Sequence, residues 1–99
     1  MPSRFAFVAT YIMASRPCGV LYVGSTNDLV RRAWEHRERV LPGFTLEHRC
    51  NLLVWYEPHE LMAAAVAREH STKRWRRAWK LELIESADPD WLDLYRGLI

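Results

Sequence analysis

Two tyrosines, an arginine, a histidine and a glutamate are the residues of this sequence that could together cleave a phosphodiester bond. They are Tyr11, Tyr22, Arg32, His36 and Glu69. Such a cleavage needs an activated water, positive charge on the phosphoryl oxygens and help for the leaving oxygen. Arg32 offers a fork of donors that matches a phosphate. His36, four residues later, could accept or relay a proton near neutral pH.

Glu69 is the candidate metal ligand, and the tyrosines are candidates for activating the water. Mg²⁺ often keeps several waters and takes one carboxylate together with substrate oxygens, so a single glutamate can suffice. A tyrosine that acts as a base needs its pKa lowered from about 10 by a nearby metal ion or cation. Taken alone, each residue also has an ordinary interpretation: strand packing for the tyrosines, a surface ion pair for Arg32, and a solvated helix charge for Glu69.

The elements that must position these residues follow from the hydrophobic pattern. Runs rich in aromatic and β-branched residues predict three strands, at Phe5–Met13, Val20–Gly24 and Leu52–Tyr56. Helical spacing and propensity predict helices, at Leu29 to about Arg39, Glu60 to about Thr72, Lys73–Glu85 and a short segment around Trp91–Tyr95. The order β-β-α-β-α-α predicts an α+β fold: a small three-stranded antiparallel sheet flanked by helices.

Two features within these elements carry further expectations. Gly24 ends the second predicted strand, and we expect glycine to be needed there because the backbone turns toward a helix. Trp75, Trp79 and Leu83 recur at helical spacing. We therefore expect the two tryptophans to anchor the core rather than to stack on nucleobases.

Length and composition limit the class of protein. A chain of 99 residues predicts one domain, 1–99, and its 49% hydrophobic and 26% charged residues are globular values. No apolar run approaches the roughly 18 residues of a membrane span, so we expect no membrane association through such a helix. Cys18 and Cys50 lie far apart, outside any zinc-binding spacing. We expect reduced thiols and a cytoplasmic protein.

The charge is unevenly distributed, although the net charge is only +2. Arg68–Lys80 holds six basic residues and one acid, whereas Leu81–Tyr95 holds five acids and no base. A basic zone of this kind favours a nucleic-acid partner, and the alternative is a solvated helix face. The candidate nucleic-acid-binding residues are Arg31, Lys73, Arg74, Arg76, Arg77 and Lys80.

Short motifs in a fixed order give the strongest functional signal. Ala9-Thr10-Tyr11 is followed by Tyr22-Val23-Gly24, then by a helix bearing Arg32 and His36, and finally by Glu69. This order and spacing resemble the GIY-YIG nuclease family, and further segments resemble its small stand-alone endonuclease subgroup. Those segments are Pro42-Gly43-Phe44-Thr45, Leu53-Val54-Trp55-Tyr56-Glu57, Ala67-Arg68-Glu69, Lys73-Arg74-Trp75-Arg76-Arg77-Ala78-Trp79-Lys80 and Pro89-Asp90-Trp91-Leu92-Asp93-Leu94. Relatives include nuclease domains of homing endonucleases and of the bacterial excision-repair incision subunit.

The resemblance implies a function and a set of roles. It implies a divalent-metal-dependent endonuclease acting on DNA, with Mg²⁺ as cofactor, Mn²⁺ as a substitute, and Glu69 as the metal ligand. It assigns catalysis to Tyr11, Tyr22, Arg32 and His36. The sequence departs from the family pattern before Tyr11, which lacks Gly-Ile, and at Ser25, where the family often has lysine. The alternatives are a non-catalytic nucleic-acid-binding module with the same fold and an RNA-directed nuclease.

Overall fold

The computed structural model describes residues 6–99, and its elements occur in the predicted order with one addition. The strands are β1 (Val8–Ala14), β2 (Leu21–Thr26) and β3 (Leu52–His59). The helices are α1 (Leu29–Arg37), α2 (Phe44–Glu47), α3 (Met62–Lys73) and α4 (Arg77–Ala87), followed by a 3₁₀ turn at Leu94–Gly97. None of the helices in the described part of the chain is long and apolar enough to cross a membrane.

The three strands form one antiparallel sheet in the order β2-β1-β3. The predicted α+β class and the three-stranded antiparallel sheet are therefore confirmed. β1 lies in the middle, and all of its residues after Val8 are buried, which explains its continuous run of apolar and small residues. The predicted start of this strand at Phe5 lies outside the described residues, and the strand begins at Val8.

A hydrophobic cluster covers each face of the sheet. Tyr11 and Met13 of β1 face the cluster that includes Leu29 and Ala33 of α1. Ile12 and Ala14 face the cluster that includes Ile84 of α4. α3 packs on this second face, where the Thr10 hydroxyl donates to the Ala65 carbonyl at 2.8 Å. The sheet thus separates α1 from α3 and α4, so the candidate residues on α1 and α3 approach it from different faces.

The predicted helix Lys73–Glu85 is wrong at its start. Lys73 is the last residue of α3, Arg76 is extended at φ −59° and ψ 148°, and α4 begins at Arg77. The Arg77 guanidinium donates to the carbonyls of Cys18 and Gly19, each at 2.7 Å, so the start of α4 is attached to the β1–β2 turn. No glycine or proline marks this break, and a long-range contact rather than local propensity positions it.

The break also overturns the expectation that both tryptophans anchor the core. Trp75 lies between α3 and α4 and is half-buried, whereas Trp79 is 51% exposed. The buried residue of α4 is Ile84. The helical spacing of Trp75 and Trp79 predicts a buried face only on the premise of one continuous helix. Because α3 ends before Trp75, that prediction is wrong for Trp79.

Three other boundaries differ from the prediction. β3 extends to His59 and includes Pro58, which is tolerated because β3 is an edge strand and a missing N–H there breaks no ladder. α2 at Phe44–Glu47 is a short helix that the sequence does not predict, since this segment is expected only to terminate α1. The predicted helical segment Trp91–Tyr95 is a 3₁₀ turn that starts at Leu94, because Trp91 adopts φ 55° and cannot continue a helix.

Gly24 is needed because a side chain there would clash with Tyr11, and not, as the sequence predicts, because the backbone turns toward a helix. It lies inside β2, opposite Tyr11 in the β1–β2 register, and it has no positive φ. A Cβ at this position would stand 2.6 Å from both Cζ and the hydroxyl of Tyr11. The Tyr11 ring crosses the neighbouring strand where a side chain is missing, and glycine is required for that close approach.

We predict that Gly24→Ala destabilises the fold. Tyr11 is held by buried neighbours, so an added methyl group overpacks the sheet and should cost about 1–3 kcal/mol in the free energy of unfolding, measured by urea denaturation. The matched control is Gly97→Ala, where a Cβ meets no atom within 4 Å. Equal stability of the two variants would contradict the steric role of Gly24.

Candidate active site

A buried hydrogen-bonded chain runs from β1 through α1 to α2. The Tyr11 hydroxyl lies 2.9 Å from Nε2 of His36, and Nδ1 of His36 lies 3.1 Å from the hydroxyl of Thr45. All three side chains are buried, with Tyr11 only 1% exposed. The chain fixes the orientation of the imidazole ring from both nitrogens and ties the short helix α2 to the sheet.

The electrostatics of this chain favour its neutral form. Burial lowers the pKa of His36 to about 4, and the positive charge of Arg32 acts in the same direction. A neutral imidazole has one donor and one acceptor nitrogen, so the hydroxyls of Tyr11 and Thr45 take opposite roles toward it. Burial also raises the pKa of Tyr11, and the nearby Tyr22 adds to the effect, while Arg32 opposes it. Tyr11 therefore keeps its proton at neutral pH.

Tyr22 is the more accessible of the two tyrosines. Its ring is half-buried and lies 6.3 Å from the ring of Tyr11 and 5.7 Å from that of His36, measured between centroids. On its outer side it stacks on Phe44 at 6.0 Å with an interplanar angle of 30°. The ammonium of Lys73 stands 6.0 Å from the ring centroid. Of the two hydroxyl-bearing rings, this one combines access to solvent with a neighbouring cation.

Arg32 lies between the tyrosines and solvent. Its Nε donates to Glu35 at 3.1 Å, which orients the guanidinium, and its side chain is 38% exposed. The guanidinium is close enough to Tyr11 to oppose the rise in that residue's pKa. With Arg31, it lines an open cleft of about 440 Å³ at the start of α1. An anion that enters this cleft meets the guanidinium of Arg32.

Glu69 is held at the free edge of the sheet by two hydrogen bonds. Ser25 on β2 donates to Oε1 at 2.5 Å, and Lys73 donates to Oε2 at 2.6 Å. Partial burial alone would raise the pKa of Glu69, but the bonds from Lys73 and Ser25 and the charge of Lys73 lower it. The carboxylate is therefore ionised at neutral pH.

The motif order predicts that the five candidate residues converge on one surface, but the structure contradicts this: they form two groups on opposite faces of the sheet that approach each other at the β2 edge. Tyr11, Tyr22, Arg32 and His36 cluster on the α1 face of the sheet, whereas Glu69 approaches from the α3 face. Two observations connect the groups. The charge of Glu69 contributes to the raised pKa of Tyr11. The Lys73 ammonium bonds to Glu69 and also stands near the Tyr22 ring.

Comparison with known proteins identifies the family of the chain. The family model for the GIY-YIG catalytic domain matches residues 7–82. The chain belongs to the GIY-YIG family. Neither the search of curated proteins nor the search of solved structures gave a significant match. A GIY-YIG domain implies nuclease chemistry on a nucleic acid, and nucleases of this family are generally dependent on a divalent metal.

The donor set around Glu69 suits only a metal ion that needs few protein ligands. Within residues 6–99, no group of three or more histidine, cysteine, aspartate or glutamate side chains could hold a metal ion. Mg²⁺ fits, because it accepts one carboxylate together with waters and phosphate oxygens. Lys73 already binds Oε2, so an ion at that oxygen would have to displace its ammonium or share the oxygen with it.

The predicted nucleic-acid-binding residues of this GIY-YIG domain differ in whether their charged groups already bond to other parts of the protein. Arg77 binds backbone carbonyls of the β1–β2 turn, and Lys80 donates to the Lys73 carbonyl at 3.2 Å. Arg31 is exposed and pairs loosely with Glu35 at 3.7 Å. Among the described residues, Arg74 and Arg76 form no ion pair. Arg77 thus uses one guanidinium nitrogen to dock α4, and its role as a nucleic-acid ligand stays a prediction.

Sequence reasoning missed two partners of the candidate residues. Thr45 was noticed only as part of a motif, and its bond to His36 could not be inferred because α2 was not predicted. Ser25 was noticed only as a departure from the family pattern, yet its hydroxyl holds Glu69. In both cases the bond joins residues on different elements, and no local sequence pattern specifies it.

We predict that the protein loses stability through His36 as the pH falls from 6.5 to 4. The unfolded chain binds a proton at the ordinary histidine pKa of 6.5, whereas the folded chain does so only near 4. Protonation in this window therefore favours unfolding, by on the order of 2 kcal/mol after solvent screening. Urea denaturation at a series of pH values measures the effect.

In His36→Gln the free energy of unfolding should change less with pH between 6.5 and 4 than in the wild type, because the substitution removes the group that titrates. The control is His70→Gln, which changes an exposed histidine of α3 and should leave this pH dependence unchanged. A wild-type pH dependence that survives in His36→Gln would contradict a neutral, buried His36.

Proposed function

We propose that this chain is a divalent-metal-dependent endonuclease that hydrolyses phosphodiester bonds of DNA, with a preference for substrate structure or a weak sequence preference. The observation that carries the proposal is the position of an ionised Glu69 at the β2 edge, linked through Lys73 to Tyr22. The Lys73 ammonium bonds to this carboxylate and stands 6.0 Å from the centroid of the Tyr22 ring, and the family implies nuclease chemistry.

In this proposal Arg32 binds a phosphoryl oxygen of the scissile phosphate through its guanidinium. Its orientation by Glu35 and its partial exposure support that role. The negative charge on the phosphoryl oxygens grows as the bond breaks, and a fixed fork of donors stabilises it without reorganisation. Arg32→Lys would keep the charge but lose the fork, so it should restore only part of the activity.

Tyr22 is the proposed acceptor of the proton from the attacking water. For this step it must first give up its own phenolic proton to solvent, which the positive charges of Lys73 and of a bound metal ion would favour. Tyr11 serves a different purpose, because it is buried, keeps its proton and is bonded to His36. It orients the site and hands no proton to bulk solvent. His36 is buried and uncharged, and its two bonds hold the Tyr11 hydroxyl in place, so we propose a positioning role for it as well.

Glu69 would hold the metal ion, Mg²⁺ or in its place Mn²⁺. When bound, the ion supplies positive charge that stabilises the phosphoryl and leaving oxygens. The two hydrogen bonds on Glu69 fix the carboxylate in advance of binding. Ser25 could keep its bond to Oε1, whereas Lys73 would have to leave Oε2 and could then bind the substrate phosphate.

One observation supports a second candidate function. The bond between Lys73 and Glu69 at 2.6 Å occupies the oxygen that a metal ion would use. A protein that kept this ion pair with substrate bound would be a nucleic-acid-binding module without turnover. Serine stands at position 25, where the family often has lysine, and the cation at the Tyr22 ring is Lys73, which is already paired with Glu69.

The remaining parts of the proposal concern organisation and partners. We propose one domain across 1–99, with DNA as partner and RNA as the alternative. A cytoplasmic location is supported by two free thiols, the exposed Cys18 and the buried Cys50.

We predict that Glu69→Gln abolishes cleavage while DNA binding persists. Glutamine keeps the size and hydrogen-bonding capacity of the side chain but removes the charge that holds the metal ion. The rate on labelled duplex, forked and single-stranded DNA, and on RNA, should fall by roughly 10³-fold or more in Mg²⁺ or Mn²⁺. Binding measured by anisotropy in chelator should change far less.

The matched control is Glu60→Gln, which removes the same charge from an exposed glutamate just before α3. It should cleave like the wild type. A Glu69→Gln protein that cleaves at the wild-type rate would overturn the assignment of Glu69. A wild-type protein that binds DNA but cleaves none of the substrates would instead establish the binding module.

A further inference from the structure

The segment that joins α3 to α4 presents a pair of tryptophans at the protein surface. Trp75 and Trp79 pack edge to face, with centroids 6.2 Å apart and an interplanar angle of 80°. Trp79 is 51% exposed, whereas the other four tryptophans are buried or half-buried. An exposed tryptophan held in place by a second ring costs solvation energy that no internal contact explains.

Cationic side chains hold this pair in a defined geometry. The Arg68 guanidinium stands 5.1 Å from the Trp75 centroid and also donates to Glu57 at 3.1 Å, which fixes Trp75 against the sheet. The Arg76 guanidinium stands 5.5 Å from the Trp79 centroid. Because Trp75 is braced from behind, Trp79 keeps an aromatic surface open to solvent.

Two exposed arginines, Arg74 and Arg76, accompany the tryptophan pair and form no ion pair within residues 6–99. Of the acids in the stretch that follows, Asp93 pairs with Arg37, Glu85 accepts from the Trp91 ring, and Glu82 lies beside the two rings. The surface therefore combines an aromatic face with free guanidinium groups.

A cleft of about 440 Å³ opens beside the two rings, lined also by Glu82, Leu83 and Ser86. Its carboxylate and hydroxyl disfavour a phosphate inside the cleft but suit the amino and imino donors of a nucleobase. The arginines at positions 74 and 76 suit the phosphates outside it. This division of polarity matches a nucleotide better than it matches an acidic peptide.

We propose that Trp79, braced by Trp75 and flanked by Arg74 and Arg76, is a stacking subsite for an unpaired nucleotide of the substrate. The inference rests on the proposed function, because it names the form of nucleic acid that reaches the active site. Base stacking on an exposed aromatic ring beside basic groups is a general way to bind single strands without sequence preference. Bases within a duplex already stack on one another and cannot reach the ring.

The subsite lies close to the candidate active site. Lys73 is one helical turn, about 6 Å, beyond Glu69, and Trp75 follows two residues later. The backbone of Trp75 is thus at most about 13 Å from that of Glu69. Arg68, beside Trp75, also stands over Trp55 of β3, whereas Glu69 bonds to Ser25 of β2, so an unpaired strand bound at Trp79 would cross α3 to reach Glu69. The preferred substrate is therefore DNA with an unpaired segment beside the cleavage point, as in a fork or flap.

The test measures binding of a short labelled oligothymidylate and of a labelled duplex by fluorescence anisotropy. Chelator is present so that no cleavage occurs, and the salt concentration is fixed because affinity depends on it. Trp79→Ala should weaken single-strand binding about tenfold and duplex binding by less than about twofold. Trp79→Phe keeps a stacking ring and should restore most of the single-strand affinity.

Leu92→Ala is the matched control, because it truncates an exposed apolar residue outside the cleft and should leave both affinities unchanged. Circular dichroism of each variant verifies folding, which a change at an exposed ring should preserve. Unchanged single-strand affinity of Trp79→Ala, or equal losses on single strand and duplex, overturns the subsite. So does a wild-type dimer that Trp79→Ala dissociates, since the rings then contact a second copy.

This result is independent of the test of Glu69. A selective loss of single-strand binding in a protein that never cleaves DNA supports the subsite and refutes the endonuclease. Intact single-strand binding by Trp79→Ala in an active nuclease refutes the subsite alone.

Discussion

The contact between the Tyr11 ring and the backbone of Gly24 is the constraint on which the site depends. The ring crosses β2 where a Cβ would stand 2.6 Å from it, and only there can its hydroxyl meet His36. His36 in turn bonds to Thr45, so the position of α2 follows from the same contact. α2 carries Phe44, which stacks on Tyr22. The absence of a side chain at Gly24 thus allows the contacts that connect Tyr11, His36 and α2. Through Phe44 of α2, these contacts extend to Tyr22.

Burial divides the two tyrosines between different tasks. Tyr11 lies in a core that disfavours its anion, and its pKa is raised for that reason. The same burial lowers the pKa of His36, so the internal chain is uncharged near neutral pH. Such a chain is rigid and holds its geometry, but it is a poor acceptor of a proton from water. Tyr22, at the rim and beside Lys73, has the access that Tyr11 lacks.

The sequence predicted what depends on local patterns and failed where distant contacts decide. The three strands, α1 and the helical position of Glu69 follow from apolar periodicity, propensity and motif order. The start of α4 does not, because Arg77 is fixed by carbonyls of the β1–β2 turn almost sixty residues earlier. The role of Gly24 was misjudged for a similar reason, since the register that places it opposite Tyr11 is not local. The pairing of Lys73 with Glu69 could be anticipated from their spacing on a helix, but its position near Tyr22 could not.

The central claim is that Tyr22 accepts the proton during cleavage while Tyr11 only positions the site. The most direct measurement is the single-turnover cleavage rate of Tyr22→Phe and Tyr11→Phe on the same labelled DNA, with the unfolding free energy of each. Tyr22→Phe should lose about 10²–10⁴-fold in rate with little change in stability. Tyr11→Phe should retain more activity and lose about 1 kcal/mol or more in stability, because His36 loses a buried partner. Wild-type cleavage by Tyr22→Phe, together with an inactive but fully stable Tyr11→Phe, would contradict the account.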